Sequence, residues 1–130
     1  MFLYILSHSC SINTTTNNKT REIKKSYYPN GSIEYESMYF NGKLDGITKY
    51  WQSDGVLLSE EEFSNGKNHG FFKKYSKKGD LIYSCEYFYG EKNGFERWYY
   101  NNGQIKSETE YVLNEKITTR RWEEDGDLIY

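Results

Sequence analysis

The chain has 130 residues, 28% of them charged, with a formal net charge of -2, so its overall field asks for neither nucleic acid nor an anionic membrane. Aromatic residues make up 18%, too many for a disordered polar chain, and such amphipathic rings can build a core whose polar edges stay wet. No run of about 18 apolar residues is present, which excludes a bilayer-spanning helix, and the two cysteines, Cys10 and Cys85, make neither a disulfide framework nor a metal motif.

Residues 1–20 open with an apolar stretch, MFLYILSHSC, and continue as a polar stretch rich in threonine and asparagine. They are read as a tail and tether outside the folded unit, which occupies 21–130. From residue 21 onward the sequence keeps a period of 24. Gly31, Gly55, Gly79 and Gly103 form one column, with Gly126 next; Gly42, Gly66 and Gly90 form a second; Gly46, Gly70 and Gly94 form a third. Asn114 and Thr118 take the next places in the second and third columns. Apolar residues keep the same phase: Ile33, Leu57, Leu81, Ile105 and Leu128 follow the first glycine, and Tyr39, Phe63, Tyr87 and Tyr111 come later in the same strands. Two apolar runs and two glycine-marked connections per unit predict two β-strands and two turns.

Strands are predicted near 21–28, 32–40, 46–51, 56–64, 70–75, 80–88, 94–99, 104–112, 117–122 and 127–130. YPNG at 28–31 predicts a type I turn closed by a left-handed glycine, with QSDG, SKKG and YNNG as its copies. The second connection, Gly42 to Gly46 and its copies, is predicted to be a longer loop with glycine at both ends. Short connections throughout predict an all-β chain: a single-layer antiparallel meander that grows by one hairpin per repeat.

The stretches YYPNGSIEYESMYFNGKLDG (27–46), WQSDGVLLSEEEFSNGKNHG (51–70) and YSKKGDLIYSCEYFYGEKNG (75–94) resemble the MORN repeat in its bacterial variant form. The unit from Tyr99 departs, with LNEKIT in place of NGKxxG. The resemblance implies a protein-binding repeat module, and because bacterial proteins of this variant are often classed as antitoxins or immunity proteins, it implies a toxin as partner. The segment ending at Cys10 in turn resembles the end of a bacterial lipoprotein signal, which would make Cys10 an acylation site. The alternative function is therefore an extracytoplasmic scaffold or adhesion surface tethered through Cys10, with membrane contact only in that case. Otherwise the cytoplasm is the expected location.

Candidate chemistry is sparse. His69 sits where Asp45 and Asn93 sit in the neighbouring units, so it reads as a polar turn residue and not a catalyst. Cys85 shares strand parity with Leu81 and Tyr87 and reads as a small buried hydrophobe. Glu36, Glu60, Glu62, Glu86, Glu108 and Glu110 align on one strand face, with Ile33, Tyr35 and Tyr39 and their copies expected on the other. Paired carboxylates can hydrolyse glycosides, but repetition alone explains this spacing, and no enzyme, cofactor or metal is expected. Lys25, Lys49, Lys73, Arg97 and Arg121 recur as a cation column, either paired with the glutamates across strands or lying over rings. The expected binding residues are Glu60, Glu62, Glu86, Glu108 and Glu110, with Trp51 and Trp98 as aromatic anchors.

Overall fold

The computed structural model describes residues 12–16 and 19–130. Their fold is one eleven-stranded open sheet in which each strand pairs antiparallel with the next in sequence. The strands are β1 (Ile12–Thr16), β2 (Lys19–Tyr27), β3 (Ile33–Phe40), β4 (Lys43–Trp51), β5 (Leu57–Ser64), β6 (Lys67–Tyr75), β7 (Leu81–Phe88), β8 (Glu91–Tyr99), β9 (Ile105–Val112), β10 (Glu115–Trp122) and β11 (Leu128–Ile129). The all-β meander expected from the period is what the chain forms. Strand β1 is additional: Ile12–Thr16 pairs with Lys19–Ile23, so the sheet begins inside the stretch read as a tether. Its threonines suit an edge strand, but it lies outside the glycine period.

One connection is as predicted. Gly31 N–H donates to Tyr28 O at 2.9 Å, Tyr28 N–H donates to Ser32 O at 2.9 Å, and Gly31 has φ 85°. That is a type I turn closed by a left-handed glycine. The other connection is shorter than predicted. Asn41 and Gly42 both have positive φ, 48° and 79°, the signature of a two-residue type I′ turn. Strand β4 therefore starts at Lys43, and Gly46 lies within it. Gly46 occupies a bulge: Tyr39 faces Leu44 while Ser37 faces Thr48, so two extra residues are absorbed in β4. The second and third units repeat this at Gly70 and Gly94.

The fourth unit shows what the third glycine column does. With Thr118 in that place, the bulge of β10 holds one extra residue instead of two. Everything beyond slips by one position, and Thr119, not Arg120, faces Thr109.

In a single-layer sheet the core is thin. Ser37, Thr48, Cys85 and Thr109 are buried along one central row of the sheet. They are small, and the larger side chains two positions away on either side cover them: Tyr35 and Tyr39 around Ser37, and Tyr83 and Tyr87 around Cys85. Tyr83 OH donates to Glu96 Oε1 at 2.8 Å and its ring lies edge-on to Trp98 at 4.7 Å, so this buried ring keeps its hydroxyl satisfied. Burial pushes the Tyr83 hydroxyl up, and the Glu96 hydrogen bond adds to the shift.

Candidate functional site

Antiparallel register sorts the repeated side chains onto two faces. Across one row, Lys25 faces Glu36, Glu36 faces Lys49, Lys49 faces Glu60, and Glu60 faces Lys73. The row continues through Ser84, Arg97, Glu108 and Arg120. The cation and carboxylate columns therefore share one face, which selects the cross-strand pairing of the two readings, while Tyr35 and Tyr83 lie on the opposite face as expected. The strand register sets each charged column directly across from the other.

The ladder is bonded. Lys25 Nζ lies 2.5 Å from Glu36, Lys49 Nζ 3.5 Å from Glu60, and Arg97 Nε 2.7 Å from Glu108. Where the column has Ser84 instead of glutamate, Arg97 reaches along the strand to Glu86 at 3.5 Å. Tyr75 OH donates to Glu60 at 2.6 Å, and this bond, followed by the charges of Lys49 and Lys73, holds the Glu60 carboxyl below its ordinary range. Tyr75 is pushed up to about 12 by burial and by the same bond. At the end of the ladder Arg120, not Arg121, faces Glu108, at 3.8 Å. The slipped bulge turns Arg121 to face Ser107 on the other side of the sheet.

Ile33, Leu57, Leu81 and Ile105 also fall on the carboxylate face, which corrects the expectation that they stand opposite it. Tyr27 faces Ile33 although Ser26 faces Tyr35, so a bulge at Glu34 reverses the side-chain alternation there. The same bulge sets Trp51 opposite Leu57 on this face. Trp98 faces Tyr83 and belongs to the tyrosine face. The structure thus sets Trp51 on the same face as Glu60, Glu62, Glu86, Glu108 and Glu110, near Glu60 but five strands from Glu108 and Glu110, and puts Trp98 on the other face. Cys10 lies outside the described residues.

A second row on the carboxylate face alternates apolar and acidic residues: Ile47 faces Glu62, Phe71 faces Glu86, and Phe95 faces Glu110. Glu62 accepts a hydrogen bond from Phe71 N–H at 3.4 Å, and its carboxylate occupies the space a Cβ on Gly70 would need. Glu86 covers Gly94 in the same way, and Met38 covers Gly46. The third glycine column thus lets the side chain across from it lie flat, opening a shallow cleft of ≈ 140 Å³ between Ile47 and Phe71, with Glu62 in its wall.

His69 belongs to a turn-capping column. Asp45 Oδ2 accepts from Asn65 N–H at 3.1 Å and Asn93 Oδ1 accepts from Leu113 N–H at 3.3 Å, each securing the turn of the next hairpin. His69 instead packs with tilted rings against Tyr89 at 4.5 Å and Phe88 at 5.3 Å, with Nδ1 buried and without a partner among the described residues. Tyr89 occupies the first turn position, φ 48°, where Asn41 and Asn65 stand in the earlier units. A bulky residue there is unusual. Sequence reasoning missed this cluster of Phe71, Phe88 and Tyr89, about half exposed, although the odd residue in the turn column was its visible sign.

The family described as MORN repeat variant matches residues 23–43, 44–65 and 92–112. These three stretches are MORN repeat variants. No curated protein matches the chain. MORN repeats are in general a repeat module for binding, and this sheet presents two broad faces for it. The matches leave out 66–91, although Gly66, Gly70, Gly79 and Gly90 keep their columns there. That unmatched MORN-like segment holds the His69, Phe88 and Tyr89 cluster. Among the described residues no group of three or more His, Cys, Asp or Glu is placed to hold a metal ion, and no helix is long and apolar enough to cross a membrane.

Proposed function

We propose that the protein is a non-enzymatic protein-binding module of the antitoxin or immunity type, which binds a toxin and occludes it through the carboxylate face. The observation that carries the reading is the alternating row Ile47, Glu62, Phe71, Glu86, Phe95 and Glu110. It offers rings for anchoring and carboxylates for orientation on one exposed surface. The ladder row is largely self-neutralised, since Glu36, Glu60 and Glu108 pair with cations. Charge complementarity toward a basic toxin therefore falls to Glu62, Glu86 and Glu110.

The test is to capture the partner from the native host, show that it arrests growth when expressed alone, and measure its affinity. Reversing Glu62, Glu86 and Glu110 to lysine is expected to weaken binding most at low salt. Unchanged affinity would remove this face, and a captured partner that is harmless alone would remove the antitoxin role. The lipid-anchored alternative rests on Cys10, and intact mass of the native protein decides it.

A further inference from the structure

We infer that the alternating row docks a cationic amphipathic helix laid across the strands, with Lys or Arg seven residues apart entering consecutive clefts. The inference rests on the binding-module reading and names the chemistry of the partner. Phe71, 51% exposed, is a ridge between two clefts. One lies toward Ile47 with Glu62 in its wall; the other, ≈ 270 Å³, is lined by His69, Glu86, Phe88 and Asn93. The pattern repeats every second strand, and strands about 4.8 Å apart make that about 9.6 Å.

Seven residues of α-helix rise about 10.5 Å, and a tilt of roughly 25° projects this onto the cleft spacing. In such a helix the residues at i+3 and i+4 lie on the same face about halfway between the two cations. That is where Phe71 stands, so apolar residues there would pack on its ring. An extended strand rises about 3.3 Å per residue with side chains on alternate sides, so a three-residue step reaches the spacing but points away. A polyproline helix matches the spacing at about 9.3 Å per turn, yet its intervening residues point off the contact face. Only the α-helix meets both cleft and ridge.

The electrostatics agree. Among the described residues no ion pair reaches Glu62 or Glu110, and Glu86 shares Arg97, whose Nε is bonded to Glu108. Lys73 also lines the first cleft: it faces Glu60 across the ladder and its Nζ lies 5.8 Å from the Phe71 ring centroid, so the incoming cation takes its place beside the ring to reach Glu62, which holds no ion pair among the described residues. An arginine stem would lie against Phe71 while its head reaches the carboxylate on the cleft wall.

The test uses the full chain and a labelled synthetic helical peptide of about 21 residues, with Arg at heptad intervals and Leu at i+3 and i+4. Its control is an isomer of the same composition with the arginines off that register. Fluorescence anisotropy at low salt is expected to show binding of the first peptide and weaker binding of the isomer. Glu62→Gln with Glu86→Gln, which keeps side-chain size, is expected to cost on the order of tenfold in affinity. Phe71→Ala is expected to weaken binding similarly, and Trp98→Ala on the opposite face to change nothing. Equal binding of the isomer, or full affinity in the double glutamine variant, would overturn the inference. A captured native partner whose affinity depends on Trp98 and ignores Glu62 and Glu86 would also overturn it, while leaving the protein-binding role standing.

Discussion

Gly70→Ala tests whether the third glycine column exists for backbone shape alone or also for the carboxylate packed on it. The control is Gly66→Ala, at φ 83° with nothing within 4 Å of an added Cβ. That change carries only the left-handed backbone penalty, about 1–2 kcal/mol. Gly70 has φ 104°, and an added Cβ would overlap Glu62 Oε2. The carboxylate is a mobile end and can swing away, but it then gives up its hydrogen bond to Phe71 N–H, a loss of about 1 kcal/mol. Gly70→Ala is therefore expected to cost about 2–3 kcal/mol. At this chain length roughly 4 °C of Tm corresponds to each kcal/mol, so the two variants separate in thermal and urea unfolding followed by tryptophan fluorescence. Glu62→Ala removes the group that must move, so in that background the Gly70→Ala cost should fall by about 1 kcal/mol, a coupling within reach of a double-mutant cycle. Equal costs at Gly66 and Gly70, or strict additivity with Glu62→Ala, would refute the account of the flat-lying carboxylate.

Arg97→Met is expected to destabilise by about 1–2 kcal/mol, because Arg97 serves Glu86 and Glu108 together, whereas Lys49→Met should cost about 0–1 kcal/mol. Matching urea midpoints for the two variants would contradict the shared role. Glu60 is held below the ordinary carboxylate range by the Tyr75 hydroxyl, then by Lys49 and Lys73. Burial raises Glu96, but its bonds from Lys92 and Tyr83 outweigh that and lower it. Groups depressed in the folded state stabilise it above the unfolded carboxylate pKa of about 4.3, and this is lost as pH falls through the folded values. The acid limb of a stability profile should therefore flatten in Glu60→Gln and Glu96→Gln, and an unchanged slope would contradict the assignment. Burial pushes the Cys85 thiol up, so in a Cys10→Ser background thiol reagents should label the protein only as fast as it unfolds; immediate labelling would show that Cys85 is not covered.

The period of 24 made the fold legible because a repeated hairpin must place its turns at fixed intervals, and Gly31 and its copies mark one turn directly. The sequence misled at Gly46. A glycine just after a turn looks like the end of a loop, but the type I′ turn needs only Asn41 and Gly42, and Gly46 is a bulge inside β4. Side-chain faces were legible only between bulges. Glu36, Glu60 and Lys49 were aligned correctly within their columns, yet Ile33 was placed on the wrong side and Arg121 leaves the face of its column, since one extra residue reverses every side chain beyond it. The placement of Trp51 on the face of the glutamates, and of Trp98 on the other, follows from those same bulges.

The informative positions for function are those where the repeat breaks a rule that its own copies obey. The glycines, the Asx turns and the ion ladder are explained by the sheet and would be needed whatever it binds. Tyr89 is not. Asn is tolerated in a left-handed turn, and Asn41 also uses its side chain there to accept from Thr20 N–H of the preceding hairpin. A tyrosine at φ 48° gives that up and carries a backbone penalty of about 1–2 kcal/mol, offset in part by its contacts with His69 and Phe88. His69 breaks its own column in the same place, leaving the next turn without the cap that Asp45 and Asn93 provide. Two departures meeting at one exposed aromatic cluster, beside the cleft that holds Glu86, are expected of a surface shaped by a partner and not by the repeat. Both departures lie in residues 66–91, one of the two stretches of the repeat region after residue 65 that the family matches leave out.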